Sequence, residues 1–168
     1  MGNAPITVGL RTDKSSCSAG SKATGRVYVS VSKESQPVQA LMLKIVGAEH
    51  VLVHHTTSHS DRHNDRRHRN HSHSHTEDHY ERAESTFLQL EYPLHTFPRG
   101  QLAPGQYEYP FEIQLPYNLP SSMICRDGQS YCDVKYELTA TLQKTNSGIF
   151  SPNPSAQQEV KITSAVPA

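Results

Sequence analysis

The sequence predicts an all-β protein, built as a sandwich of two antiparallel sheets with seven or eight strands. Several segments alternate apolar and polar residues with a period of two, as half-buried strands do. Proline and glycine interrupt the chain at short intervals, and 168 residues are enough for one core of ordinary size. A closed barrel is the alternative, but no glycine pattern supports the sharp corners of a barrel. An immunoglobulin-like sandwich is therefore expected.

Three segments alternate strictly and are the clearest strands. They are Val27–Val31, Tyr109–Leu115 and Val134–Leu142. Because alternate side chains of a strand share one face, the apolar residues of the last two segments are predicted to enter the same core. These residues are Tyr109, Phe111, Ile113 and Leu115 together with Val134, Tyr136, Leu138 and Leu142.

Four weaker segments complete the set of strands. They are Ile6–Thr12, Val38–Val53, Phe87–Leu94 and Gln158–Thr163. The second is long enough for two strands or for one bent strand, with Gly47 at the expected bend. A helix from Val38 to Ile45 is the weaker alternative, because Val and Ile favour strands.

Turn-forming residues separate these strands. Pro104 and Gly105 occupy the second and third positions of a predicted type II turn. Other prolines forbid long helices and confine their strands to sheet edges or strand ends. They are Pro93, Pro98, Pro110, Pro116 and Pro120.

Composition excludes several classes of protein. Sixteen Lys and Arg balance sixteen Asp and Glu, so binding of nucleic acid through whole-surface charge is not expected. The sequence has neither an apolar run long enough for a membrane span nor the layout of a secretory signal, which predicts a cytoplasmic protein. The start Met1-Gly2 is similar to a myristoylation site, but Ile6 stands where that motif has Ser or Thr.

The sequence also argues against an enzyme. It contains no nucleophile elbow, phosphate-cradling glycine loop or H-E-x-x-H motif. The cysteines Cys17, Cys125 and Cys132 are odd in number and lack C-x-x-C spacing, so reduced thiols are expected. A cysteine nucleophile with His95 as its base lacks any surrounding signature.

Residues 102–123 read L-A-P-G-Q-Y-E-Y-P-F-E-I-Q-L-P-Y-N-L-P-S-S-M. This segment resembles the signature of the arrestin N-terminal domain, with its Pro-Gly turn, aromatic strand and Leu-Pro-Ser-Ser corner. The segments Gly20–Val31 and Tyr131–Leu142 are similar to two further strands of that domain. The corner is most similar to that of the α-arrestins, the arrestin-domain-containing trafficking adaptors, and the arrestin-like subunit of retromer is a further relative.

The resemblance implies a non-enzymatic adaptor that binds cytosolic tails of membrane proteins, phosphorylated or not, in endocytic or endosomal trafficking and ubiquitination. The family carries two tandem sandwiches, and residues 1–168 correspond to the first, with 164–168 as a tail or the start of a linker. The Pro-Pro-x-Tyr motifs that recruit ubiquitin ligases are not in this sequence. Contact with a ligase or with trafficking machinery is therefore expected through other regions.

Visual and β-arrestins read phosphates with cations on and near the first strand, because phosphate oxygens accept charge-assisted hydrogen bonds. The corresponding partner-binding candidates here are Arg11, Lys14 and Arg26, with Lys22 nearby. Only Arg11 lies on the predicted first strand, and the paired lysines of phosphate-sensing arrestins are absent. Scattered surface charge is the alternative interpretation.

Ten of the eleven histidines lie between His50 and His79, and residues 54–81 form a His-rich insertion of low complexity. His71, His73 and His75 alternate with serines, so an extended chain would place three imidazoles on one face, where they could bind zinc. The favoured alternative is a solvated, disordered loop from Ser58 to Glu81 that requires no cofactor.

Overall fold

Ten strands make up the regular structure of this computed structural model, which describes residues 5–60, 74–145 and 152–166. In chain order they are β1 (Ile6–Thr12), β2 (Ser16–Ser18), β3 (Lys22–Val31), β4 (Gln36–Ser60), β5 (Ser74–Thr96), β6 (Gln101–Leu102), β7 (Gly105–Gln114), β8 (Met123–Asp127), β9 (Ser130–Lys144) and β10 (Ser155–Thr163). Within these ranges no helix is long and apolar enough to cross a membrane.

The strands form two sheets. The smaller sheet has the order β1-β3-β7, and both of its pairs are antiparallel. The larger sheet has the order β2-β10-β9-β4-β5, with β6 added to β4 and β8 added to β9. The predicted two-sheet sandwich is therefore confirmed. The number of strands exceeds the prediction because β2, β6 and β8 are short and carry no alternating pattern.

The core lies between the two sheets and follows the alternation of the sequence. Phe111, Ile113 and Leu115 enter the same buried cluster as Val134, Tyr136, Leu138 and Leu142, and Tyr109 packs against its side. The predicted shared core is confirmed. The Tyr136 side chain is fully buried, and its hydroxyl donates a hydrogen bond of 2.5 Å to the carbonyl oxygen of Pro120. Burial raises the pKa of Tyr136 to about 12.

The Leu-Pro-Ser-Ser segment that follows β7 forms hydrogen bonds with β9 and with the end of β10 in the large sheet. Leu119 is buried in the core, and the carbonyl of Pro120 accepts the hydrogen bond from Tyr136. The hydroxyl of Ser121 accepts from the backbone N–H of Ser164, and the hydroxyl of Ser122 accepts from that of Ile162. This corner therefore satisfies backbone donors at and just beyond the end of β10.

The segment from Val38 to Val53 belongs to one long strand, so the helical alternative is wrong. The ladder between β4 and β5 shifts register between Gly47 and Ala48, at the predicted bend. A Cβ atom on Gly47 would lie 2.7 Å from Cε1 of Tyr136. Glycine is required here because the buried ring of Tyr136 approaches the backbone too closely for any side chain.

The long β4–β5 hairpin differs from the disordered loop that the sequence favours between Ser58 and Glu81. The two strands stay paired out to Ser60 and Ser74, well beyond Leu52, the last β4 residue that also pairs with β9. Cross-strand ladders and side-chain pairs can hold a polar ribbon together without a buried core. The disorder prediction is therefore wrong for residues 58–60 and 74–81, and residues 61–73 lie outside the described ranges.

Two of the prolines named in the sequence analysis lie on edge strands, as expected. Pro110 lies on β7 at the edge of the small sheet, and Pro93 lies on β5 at the edge of the large sheet. The chain bends at Pro104 before β7, but Gly105 has a φ of 151°. A type II turn needs a φ near +80° at that position, so the predicted turn type is wrong.

Candidate functional site

The outer edge of β1 is an open sheet edge. The N–H of Asp13 donates to the carbonyl of Thr24, and the N–H of Ser32 donates to the carbonyl of Pro5. Both bonds extend the β1–β3 ladder, in which hydrogen-bonded and non-hydrogen-bonded pairs alternate. The odd-numbered residues of β1 therefore direct their backbone N–H and C=O groups toward β3. The even-numbered residues, including Val8 and Leu10, direct their backbone N–H and C=O groups away from the sheet.

One end of this edge is closed by a side chain from the large sheet. The N–H of Thr12 donates to Oε1 of Gln158 on β10 at 3.2 Å, and Nε2 of Gln158 donates to Oγ1 of Thr12 at 2.6 Å. Among the described residues, no strand pairs with the outward backbone of Val8 or Leu10. These groups are available to a peptide.

The opposite edge of the small sheet, formed by β7, is protected against pairing with a further strand, in contrast to the open edge of β1. The backbone N–H of Leu115 donates to the carbonyl oxygen of Ser21. The even-numbered residues of β7 therefore direct their backbone N–H and C=O groups away from the sheet. Pro110 is one of them and has no N–H to offer, and Glu108 and Glu112 add charge beside it. Proline and charge on an edge strand block pairing with a further strand. From Ile6 to Leu10, β1 has neither.

Two arginines lie side by side at the Thr12 end of β1. Arg11 is directly opposite Arg26 in the β1–β3 ladder. Arg26 forms an ion pair of 3.0 Å with Glu108 on β7, whereas the described residues supply no ion pair to Arg11. Like charges directly opposite each other repel. Because Glu108 neutralises only one of the two, an anion at this position would gain charge-assisted hydrogen bonds from Arg11.

The arginines line an open cavity of about 350 Å³ on the outer face of the small sheet, together with Thr12, Asp13 and Tyr28. Asp13 adds a carboxylate that opposes anion binding at one side. A shallow groove of about 580 Å³ continues from Tyr28 toward the Ile6 end of β1 and passes over Gly9. A Cβ atom on Gly9 would make only ordinary contact with Tyr28, at 3.6 Å, so glycine here leaves room rather than relieving strain.

The other two cations of the predicted set lie apart from the arginines. Lys14 is exposed in the bend after β1. Burial raises the pKa of Cys17 on β2, and the charge of Lys14 offsets part of that rise. Lys22 forms an ion pair of 2.7 Å with Glu112, and this contact raises the pKa of Lys22. The structure thus brings together Arg11 and Arg26 but uses Lys22 within the sheet.

The sequence did not single out Tyr28, Gly9 or Gln158. Tyr28 lies two residues after Arg26 on β3, so the alternation of that strand could have placed it on the same outer face. Gln158 offers no comparable signal, because it meets Thr12 across a separation of 146 residues.

The histidine predictions are only partly covered by the structure. His71 and His73 lie outside the described residues, and His75 is described only by its backbone, which pairs with that of His59. In the described part of the hairpin, His55 stacks on His79 with ring centroids 5.4 Å apart. The described residues include no group of three His, Cys, Asp or Glu side chains that could bind a metal. Zinc binding through His71, His73 and His75 stays a prediction.

A second concave surface lies on the outer face of the large sheet, as a groove of about 590 Å³. Its lining mixes the cations of Lys44 and Lys135 with carboxylates of Glu84, Glu91 and Glu137. Mixed charge gives this groove no preference for an anion or a cation. The edge of β1, with its arginine pair, is the more specific candidate site.

Comparison with known proteins agrees with this architecture. The family model described as the N-terminal domain of arrestin (or S-antigen) matches residues 6–167. The chain belongs to the arrestin N-terminal domain family. The α-arrestin subfamily suggested by the Leu-Pro-Ser-Ser corner of this arrestin domain stays a prediction.

A solved structure gives the same picture of the fold. Spo0M, a sporulation control protein from Bacillus subtilis, superimposes with a TM-score of 0.55 at 18% sequence identity. The match covers 96% of this arrestin domain and 51% of the Spo0M chain, so the domain spans about half the length of that protein. No curated protein matches the sequence. At this identity the likeness shows a shared fold.

Proposed function

We propose that this arrestin domain is a non-enzymatic adaptor that binds the cytosolic tails of membrane proteins at the outer edge of β1. One observation carries the proposal: an unprotected strand edge, at Val8 and Leu10, runs into the Arg11–Arg26 pair. An extended peptide can add a strand to such an edge, because its backbone supplies the missing hydrogen bonds. Membership of the arrestin family supports a scaffold role of this kind.

The arginine pair adds a preference for acidic or phosphorylated tails. A peptide strand on β1 would bring its end beside Arg11, whose charge has no ion-pair partner among the described side chains. Phosphate oxygens accept charge-assisted hydrogen bonds from guanidinium groups. The domain has no net charge to attract anions from a distance, so the attraction is local. Exposed ion pairs are weak and screened by salt, so affinity is micromolar and falls as ionic strength rises.

In this role the domain works in the cytoplasm and is recruited to the plasma membrane or endosomes by its cargo. Its contribution to endocytic or endosomal trafficking, and to ubiquitination, is to select the tail. Ubiquitin ligase or trafficking machinery is then engaged by other regions, as in α-arrestins. The resemblance of residues 102–123 to those adaptors supports this assignment.

A peptide titration with matched variants tests the anion preference. The probe is an extended Val- and Thr-rich peptide with one terminal phosphoserine, compared with its unphosphorylated form. Arg11→Glu should weaken binding of the phosphopeptide about tenfold at low salt and leave the unphosphorylated form nearly unchanged. Arg126→Glu makes the same charge change on β8 in the other sheet and should have little effect. Equal losses in the two variants would contradict the role of Arg11.

Strand addition is tested separately with the same peptide. Only every second N–H of an added strand faces its neighbour, so N-methylation of one alternate set of amides should abolish binding. N-methylation of the other set should be tolerated. If both sets tolerate methylation, the peptide does not add a strand to β1, and the mode of binding is wrong even where Arg11 matters.

A further inference from the structure

Two cysteines face each other across the β8–β9 hairpin, in the part of the large sheet that projects beyond the core. Cys125 of β8 is the direct ladder partner of Cys132 of β9. The strands are joined by the tight turn at Gly128 and Gln129, and Gly128 has a φ of 62°. The ladder runs without a register shift from Met123 to Asp127. The register therefore fixes the two thiols as neighbours.

This placement satisfies the Cα-distance requirement for a disulfide. Directly opposite residues of an antiparallel pair have Cα atoms about 4.5 to 5.5 Å apart, and disulfides span Cα distances of about 4.4 to 6.8 Å. The thiol of Cys125 also lies close enough to act on the pKa of Cys132 through a side-chain hydrogen bond. Both cysteines are free thiols in this structure. A bond between them requires rotation of both cysteine side chains toward each other.

The two thiols differ in their exposure to solvent. Cys125 is exposed, whereas Cys132 is partly covered. Burial raises the pKa of the Cys132 thiol, and the neighbouring Cys125, Glu49 and Asp133 raise it further. A thiol reacts with oxidants as its thiolate and only where the oxidant can reach it. Cys125 is therefore the thiol that meets an oxidant first, and Cys132 is the one positioned to resolve the product.

We propose that Cys125 and Cys132 are a redox site that closes to a reversible disulfide in the presence of a peroxide. In the first step, the sulfur of Cys125 attacks hydrogen peroxide, the O–O bond breaks, and Cys125 sulfenic acid and one water are formed. In the second step, the sulfur of Cys132 attacks the sulfenic sulfur, and the hydroxyl leaves as a second water with the thiol proton. Each thiol loses one electron and one proton, and peroxide takes up two of each. A low-molecular-weight thiol restores the dithiol by exchange.

The bond would secure a strand that is otherwise loosely held. All five residues of β8 are exposed, and β8 pairs with β9 alone among the described strands. The turn of the same hairpin supports the long ribbon, because Ser130 Oγ accepts from the N–H of His54 and the Tyr80 hydroxyl donates to Gln129. Oxidation therefore stiffens the hairpin that supports the long β4–β5 ribbon. This part of the large sheet is separate from the edge of β1 in the small sheet.

Tryptic mapping of the whole domain after exposure to hydrogen peroxide tests the proposal. Trypsin cuts after Lys14, Lys22, Arg99, Arg126 and Lys135, so each cysteine falls on a different peptide, 15–22, 100–126 or 127–135. The expected product joins 100–126 to 127–135, is lighter than their sum by two hydrogen atoms, and disappears after reduction. Amide exchange of Met123 and Ile124 should slow several-fold in the oxidised domain.

Variants of single cysteines complete the test. Cys17→Ser should give the linked peptide in full yield, because Cys17 lies on β2 and has no part in the hairpin. Cys125→Ser and Cys132→Ser should each abolish it, while circular dichroism shows the fold retained. The proposal fails if wild-type protein yields singly oxidised peptides, linkage through 15–22, or disulfide-bonded dimers instead.

Discussion

At the scale of single residues, contacts between the two sheets depend on a few large side chains. Phe111 of β7 is 4% exposed and its ring lies over Gly25 of β3, where an added Cβ atom would come within 2.5 Å of its Cζ atom. Tyr136 of β9 fills the other side of the core and replaces its lost hydration with one hydrogen bond to Pro120. The rings of Phe111 and Tyr136 leave no room for a side chain at Gly25 and Gly47, so the core is tightly packed at both positions.

Replacing Phe111 with Ala should lower the free energy of unfolding by about 3 to 5 kcal/mol, because it removes buried apolar surface and leaves a cavity. Chemical denaturation of variant and wild type measures the difference. Tyr107→Ala is the control, since Tyr107 lies on the same strand but is only partly buried beside the core, and it should cost less. An unchanged midpoint for the Phe111 variant would contradict the position of β7 in the core.

Tyr136 gives the domain a pH dependence in alkaline solution. Its pKa of about 12 in the folded state lies above the value of 10.0 for an unburied tyrosine. The unfolded chain therefore loses this proton first, and the stability present below pH 10 declines as the pH rises toward 12. Urea unfolding of Tyr136→Phe should show a shallower decline over that window than the wild type. At neutral pH the variant should lose about 1 kcal/mol with its hydrogen bond. Parallel declines would mean that Tyr136 is not the group responsible.

At the scale of elements, the two hairpins of the large sheet have different roles. β10 pairs with β9 from Tyr136 to Thr141, and β8 pairs with the preceding part of β9, from Ser130 to Val134. The turn of the β8–β9 hairpin contacts the β4–β5 ribbon at His54 and Tyr80. The ribbon itself extends past the core as paired polar strands. In the described part of the ribbon, side-chain contacts join the two strands, among them the Tyr80–His54 ring contact, with centroids 4.8 Å apart, and the hydrogen bond between His54 and Asp78.

Shortening this ribbon should leave the fold intact. Thr57 and Glu77 are partners across the ladder, so residues 58–76 can be replaced by an Asn-Gly turn that joins the two strands directly. The free energy of unfolding should change by less than about 1 kcal/mol, because the removed segment is polar and loop-closure entropy changes slowly with length. Denaturation and amide exchange of β9 provide the measurement. Loss of folding would show that the removed segment packs on the sandwich.

At the scale of the whole molecule, the sequence predicts the sandwich well because alternation records which face of each strand is buried. Val27–Val31, Tyr109–Leu115 and Val134–Leu142 are strands for that reason, and the bend at Gly47 follows from one glycine. The sequence misjudges residues 58–60 and 74–81, which are paired strands, because antiparallel strands outside the core need no apolar face. Polar composition alone does not distinguish such strands from a disordered loop.

The candidate sites depend on register, which alternation does not reveal. Arg11 could be named as a cation of the first strand, but its position opposite Arg26 follows only from the β1–β3 ladder. In the same way, Cys125 and Cys132 are two unpaired cysteines in the sequence and become ladder partners only in the fold. The edge position of β7 was predicted from Pro110, because proline within a strand confines that strand to a sheet edge or a strand end.

The two hydrogen bonds between Gln158 and Thr12 also limit the length of a peptide that can pair with β1. A peptide that pairs with β1 must end before Thr12, because its backbone positions there are already taken by the amide of Gln158. Only the span from Ile6 to Leu10 remains, about 13 Å of extended chain at about 3.3 Å per residue. A cargo segment of about five residues fills it, and the acidic group that reaches Arg11 must stand at one end of that segment. The domain would thus measure the distance between a short extended run and a terminal negative charge, and a tail with the same residues in another spacing would not fit.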